Sequence, residues 1–184
     1  MQDVELLFEW AGELATEMRN EIETLSKETL SWQPAPESNS IGVTVWHVCR
    51  WLDLLAVRAI QNRTQAEEQW FTRGWAEKTG YDPRGIGLNG FGAITGYTWA
   101  EVEAIPKLTA DDLVTYLDQV VGALQGQLQS LSTETLHQPS PGLGGTRSIY
   151  DWLKAILKGW LRHLGEIQTL KAIKLQMETS GVVR

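Results

Sequence analysis

Two of the three histidines in this chain fall in apolar, tryptophan-rich stretches with helical spacing. His47 lies in SIGVTVWHVCRWLDLLAVRAI and His163 in SIYDWLKAILKGWLRHLGEIQTLKAI. Neutral imidazole ligates zinc and nickel, so two of them on separate helices of one small domain are the makings of a buried metal site. One turn before His163 stands Gly159, which has no side chain to offer. Trp46, Trp51 and Trp160 are close in sequence to the two histidines, and with Gly159 and Glu166 they form the expected lining of a pocket. An apolar cavity with a few converging polar groups is the usual form of a small-molecule site. In the plainer reading the histidines are buried or half-buried and bonded to each other, to Glu166, to a tyrosine or to water, because burial without a partner is costly.

The other reactive side chains suggest less. His137, in the LHQPSP loop, reads as an exposed loop residue, and becomes a third ligand only if that loop folds over the bundle end. Cys49 lies two residues from His47, which turns it to a different helix face and predicts a small buried role. The glycine-rich run RGWAEKTGYDPRGIGLNGFG lacks the GKS or GKT of a phosphate loop and has no strand before it. Arg73 and Arg84 would face an anionic substrate at a pocket mouth, or else solvate the surface. Asp53 and the Glu67–Glu68 pair form no recognisable acid–base dyad and are expected on solvated faces. No G-x-S-x-G elbow is present, so the sequence singles out no catalytic residue.

Four long amphipathic helices are needed to place these groups. Leu6, Leu7, Trp10, Leu14, Met18, Ile22 and Leu25 recur at helical spacing and predict a first helix over 3–25. SWQPAPESNS breaks it, and Ser40 caps a second helix from Ile41 to about Asn62. Residues 63–108 read as a long, glycine-rich, mostly irregular crossover, with Thr98 and Glu101 boxing a short helix over 99–105. Thr109 opens a third helix to about Leu131, and Ser148 a fourth to about Met177. LSKETLSWQPAP after the first helix echoes LSTETLHQPSP after the third, and a Ser-Ile start follows each. The pattern predicts two helical hairpins joined by the crossover, which keeps the second and third helices from being tight neighbours. The fold class is therefore all-α, a four-helix bundle. Residues 1–178 form a single domain, and 179–184 a tail within the frayed METSGVVR.

Composition sets the outer bounds. The 184 residues, 42% hydrophobic and 21% charged, suit one soluble domain with a full core. A net charge of -7 with no Lys/Arg cluster argues against nucleic acid and against anionic membrane surfaces. No apolar run is long enough to span a bilayer, and MQDVELLFEW is no signal peptide. Cys49 is the only cysteine, which fits a reducing cytoplasm. The nine tryptophans run from Trp10 to Trp160 and must line more than one wall.

The proline loop followed by SIGVTVWHVCRWLD, the crossover EEQWFTRGWAEKTGYDPRGIG and the final RHLGEIQTLK together resemble the DinB-like superfamily of four-helix bundles, over almost the whole chain. The resemblance implies a metal-binding protein with one histidine on the second helix and an HxxxH pair on the fourth. His47 matches the first of these, and His163 the second member of the pair. Gly159 stands where the other histidine should be, giving GxxxH. Three imidazoles and an open position would make a catalytic zinc or nickel site; two leave it degraded. Relatives suggest a metal-dependent hydrolase or a transferase using a low-molecular-weight thiol. A metal-free binding module for a small molecule and a dimerisation module are the alternatives, and the superfamily resemblance implies a homodimer.

Overall fold

The computed structural model describes residues 2–181, omitting the Gln2 side chain. Its helices are α1 (Gln2–Ile22), α2 (Lys27–Ser31), α3 (Ile41–Leu54), α4 (Gln69–Thr72), α5 (Trp75–Thr79), α6 (Trp99–Glu103), α7 (Ala110–Ser130), α8 (Thr133–Leu136) and α9 (Ile149–Thr179). The only strand-like pairing among the described residues is a single antiparallel bridge, Pro139 to Ser148. The tail expected from Met177 is helical as far as Thr179, and residues 182–184 lie outside the described residues.

Four long elements build the core, and the starts of α3, α7 and α9 follow from side-chain caps. Ser40, Thr109 and Ser148 each accept a hydrogen bond from the backbone N–H three residues on, which satisfies one of the free donors at the helix start. Leu14, Met18, Ile22, Leu52, Leu117, Leu124, Leu153 and Leu157 meet in the centre, nearly or wholly shielded from solvent. The packing differs from the predicted pair of hairpins. α1 packs on α7 and α9, and α3 packs on the same two, while α1 and α3 have little direct contact. α1 and α3 are thus diagonal partners, as are α7 and α9, whereas α3 and α7 touch directly despite the long crossover.

The sequence echo has a local cause. Ser26 caps α2 and Ser132 caps α8, each through its hydroxyl to the N–H of a threonine three residues on, so LSKETL and LSTETL each fold as one short capped helix. Leu30 and Leu136 at their ends are buried and pin both turns to the bundle. After Leu54, α3 widens into a π-helix over Leu55–Ile60, whose end meets the loop at Pro141–Leu143.

The crossover is more ordered than the expected irregular segment. It contains α4, α5 and α6, with the predicted box between Thr98 and Glu101 in place. Trp70 and Trp75 from this stretch stack on each other and lie edge-on or tilted against Tyr116 of α7, and Trp70 also meets Trp46 of α3. The tryptophans thus extend the core sideways and bind the crossover to α3 and α7 by burial of large apolar surface.

Candidate functional site

His47 on α3 and His163 on α9 face each other, ring centroids 5.0 Å apart and nearly perpendicular. His47 Nδ1–H donates to the Ala93 carbonyl at 2.7 Å, and His163 Nδ1–H donates to the Glu166 carboxylate at 2.8 Å. Since a carbonyl can only accept, the proton of neutral His47 sits on Nδ1, and Nε2 carries the lone pair. The same holds for His163 in its neutral form. Neither Nε2 has a partner among the described residues. Burial, helped by the nearby charge of His163, lowers the His47 pKa to about 4, so its ring is neutral at pH 7.

The two rings border a cavity of about 60 Å³, lined also by Val48, Trp51, Ile156, Gly159 and Trp160. That is room for a few waters or the end of a small molecule. A Cβ placed on Gly159 would meet nothing within 4 Å, so the space a side chain would fill there stays open. Of the expected lining residues, Trp51, Gly159 and Trp160 border the cavity. Trp46 is instead wholly buried against Trp70 and Tyr81, and Glu166 stands off the cavity as the group that orients His163. A larger groove of about 580 Å³ between the start of α1 and the end of α7 has carboxylates in its lining but no imidazole.

The remaining sequence candidates lie elsewhere. His137 closes α8, half-exposed, with Nε2 3.2 Å from Asp3. Cys49 is fully buried, and burial pushes its thiol far up, so it is an inert packing residue. Arg73 bonds Gln69, and Arg84 bonds Asp82 and lies over the Phe71 ring. Neither arginine borders the cavity.

Asp53 and Glu68 require a correction. They were expected on solvated faces, yet both are wholly buried, whereas Glu67 is exposed and closes a capping box with Thr64. They surround the fully buried Arg50, which bonds Asp53 and Tyr116 at 3.2 Å each and forms a close ion pair with Glu68. Asp53 also accepts from the Gln69 N–H at 2.7 Å, the Trp70 N–H at 2.9 Å and the Tyr116 hydroxyl at 3.0 Å. It thereby caps α4 from a neighbouring helix, a place where Glu68 supplies no side-chain cap. Burial raises the carboxyl pKa of Glu68 to about 7 against the pull of Arg50, and its Oε1 has no hydrogen-bond partner. The missed signal was RWLD inside an otherwise apolar helix: α3 is buried nearly all round, and charges on such a helix must pair.

The network reaches the histidine site through the crossover. Arg50 Nε donates to the Gly92 carbonyl at 3.1 Å, the residue before the one that holds His47. Gln65 Nε2 donates to the Phe91 carbonyl at 3.3 Å. The Ala93 carbonyl also accepts from the Thr95 N–H at 2.9 Å, and Ile94 between them has φ 67°. This is a γ-turn with a β-branched residue at positive φ, which costs on the order of 1–3 kcal/mol and persists only where its surroundings enforce it.

The arrangement offers the Nε2 lone pair of His47 and, in its neutral form, that of His163, each ring oriented through its other nitrogen, as metal-ligating histidines usually are. The donor set stops there. Among the described residues no group of three His, Cys, Asp or Glu side chains could hold a metal ion. The described residues therefore do not complete a catalytic metal centre by themselves.

No curated protein matches the chain. Among solved structures, the crystal structure of a conserved protein from Enterococcus faecalis is similar, with a TM-score of 0.73 at 18% identity, over 90% of this chain and 93% of that one. That likeness shows the fold. The family model of the DinB superfamily matches residues 13–167, a span that holds all four long helices in whole or part and both facing histidines. With its all-helical architecture and that match, the chain belongs to the DinB superfamily.

Proposed function

We propose that this chain is a small-molecule-binding member of its superfamily, whose pocket is the cavity between His47 and His163 and whose metal site has lost one ligand at Gly159. The observation that carries the reading is the pair of unpartnered Nε2 atoms at a cavity held open by a glycine. Two acceptors on an apolar wall favour a species that brings donors or positive charge: a protonated amine, a thiol or the hydroxyl of a neutral acid. A divalent cation held by the two Nε2 atoms alone would draw its remaining ligands from water or from the bound molecule. Glu166 would orient His163 toward such a molecule. Association of two copies completes the proposal, favoured by the exposed Leu161 and Leu175 on α9.

A thermal-shift screen of small thiols, amines and acids tests it, with and without nickel or zinc, on protein carrying no polyhistidine tag. A ligand at a hundred times its Kd should stabilise the fold by about 2.7 kcal/mol. The shift should vanish in His47→Ala. A screen with no hits, or a shift that survives His47→Ala, would overturn the pocket reading.

A further inference from the structure

Three consecutive carbonyls of the crossover, those of Phe91, Gly92 and Ala93, are each taken by a side chain: Gln65, Arg50 and His47 in turn. The segment is therefore a strap laid along α3. Its backbone path is unusual. Gly92 has φ 67°, and a Cβ there would come within 2.6 Å of the Pro83 carbonyl, so only glycine fits. Ile94 two residues on is also held at positive φ, in a conformation that a β-branched residue leaves readily when unrestrained. The Ala93 carbonyl lies between these two positions and points at the imidazole only while both hold.

We infer that the Arg50 guanidinium is a positioning group for His47. By holding the Gly92 carbonyl it fixes the neighbouring Ala93 carbonyl on His47 Nδ1, and so leaves Nε2 to the cavity. The buried partners of Arg50 give it that rigidity. Asp53, Glu68 and Tyr116 take up its terminal nitrogens, which leaves Nε for the strap. A lysine in its place keeps a charge but has no fork with which to bond the carboxylates and the carbonyl at once. The inference rests on the reading of His47 as the pocket's ligand-facing histidine. Its readout is the proton position on an imidazole, which can be measured with no ligand present.

The experiment is ¹⁵N NMR of histidine-labelled protein at pH 8, where two-bond couplings report which ring nitrogen carries the proton. In the wild type, His47 should show the Nδ1–H form. In Arg50→Lys and in Gly92→Ala, His47 should move toward the averaged pattern of a free imidazole, in which the Nε2–H form dominates. His163, held by Glu166 and not by the strap, should stay unchanged and serves as the internal control. Gln65 is half-buried at the strap's outer end, so Gln65→Ala provides a variant that keeps the buried charges intact, with a smaller move expected in the same direction. A wild-type His47 protonated on Nε2, or an Nδ1–H pattern kept in every variant that folds, overturns the inference. A failed ligand screen would leave it standing, and its own failure would leave any ligand-induced thermal shift in place.

Discussion

Gly159 sits on the face of α9 that borders the cavity, and a side chain there would enter open space. Gly159→His should therefore be accepted by the fold and place a third imidazole beside His47 and His163. Nickel or zinc affinity measured by titration calorimetry should tighten at least tenfold over the wild type, or about 1.4 kcal/mol. Unchanged affinity would mean that the three rings do not converge. His47 and Glu68 make separate predictions about pH. His47 is depressed to about 4, below its unfolded value of 6.5, so the unfolded chain binds the proton more readily. Stability then falls as pH drops from about 6.5 to about 4, by on the order of 3 kcal/mol. Glu68 is raised from 4.5 to about 7, so its contribution is full below 4.5 and is lost as pH rises through 7. The two trends oppose each other between 4.5 and 6.5. Urea denaturation of His47→Gln should show a smaller acid loss than the wild type, and of Glu68→Gln a smaller loss toward neutrality. The histidines were legible in the sequence because a rare residue type in an apolar run stands out, and Gly159 because the superfamily resemblance sets a histidine in its place. The Glu68 environment was not, since nothing in EEQW distinguishes the exposed Glu67 from its buried neighbour.

At the scale of elements, Asp53 ties α3 to α4, α7 and the crossover through four hydrogen-bonding partners. Asp53→Ala leaves Arg50 short of a counter-charge and two N–H groups of α4 uncapped. It should cost about 3–5 kcal/mol in chemical denaturation. A cost under 1 kcal/mol would mean that water replaces the carboxylate freely. The caps are simpler. Ser26→Ala and Ser132→Ala should each cost about 1 kcal/mol, alike because the two turns are alike. The caps at Ser40, Thr98, Thr109 and Ser148 were readable from sequence since they depend on residues three apart, while those at Ser26 and Ser132 were not read because the helices they open are a single turn long. Of the crossover's helices α6 was read from its capping box, while α4 and α5 were missed because glycines mask two short turns held by tertiary contacts of Trp70 and Trp75.

Across the whole molecule, periodicity located the four long helices to within a few residues, but it said nothing of which lie side by side. That is decided by the apolar stripes of all four at once, and by the wedge of crossover aromatics beside α3 and α7. If two copies associate through α9, light scattering should give a dimer that Leu161→Glu and Leu175→Glu together convert to monomer; a monomer at all concentrations would remove that surface from consideration. One contact between distant parts of the chain bears on how this sequence can change. A Cβ on Gly142 would fall 1.9 Å from the carbonyl oxygen of Arg58 in the π-helical segment, and nearby Ser140 bonds the Ala59 carbonyl at 2.9 Å. The widened turn and the loop before α9 therefore fit each other backbone to backbone. In a mutational scan, position 142 should tolerate no replacement, although it lies outside the four long helices. A side chain there would require the Arg58 carbonyl to move, so the loop and the π-helical turn are bound to change together.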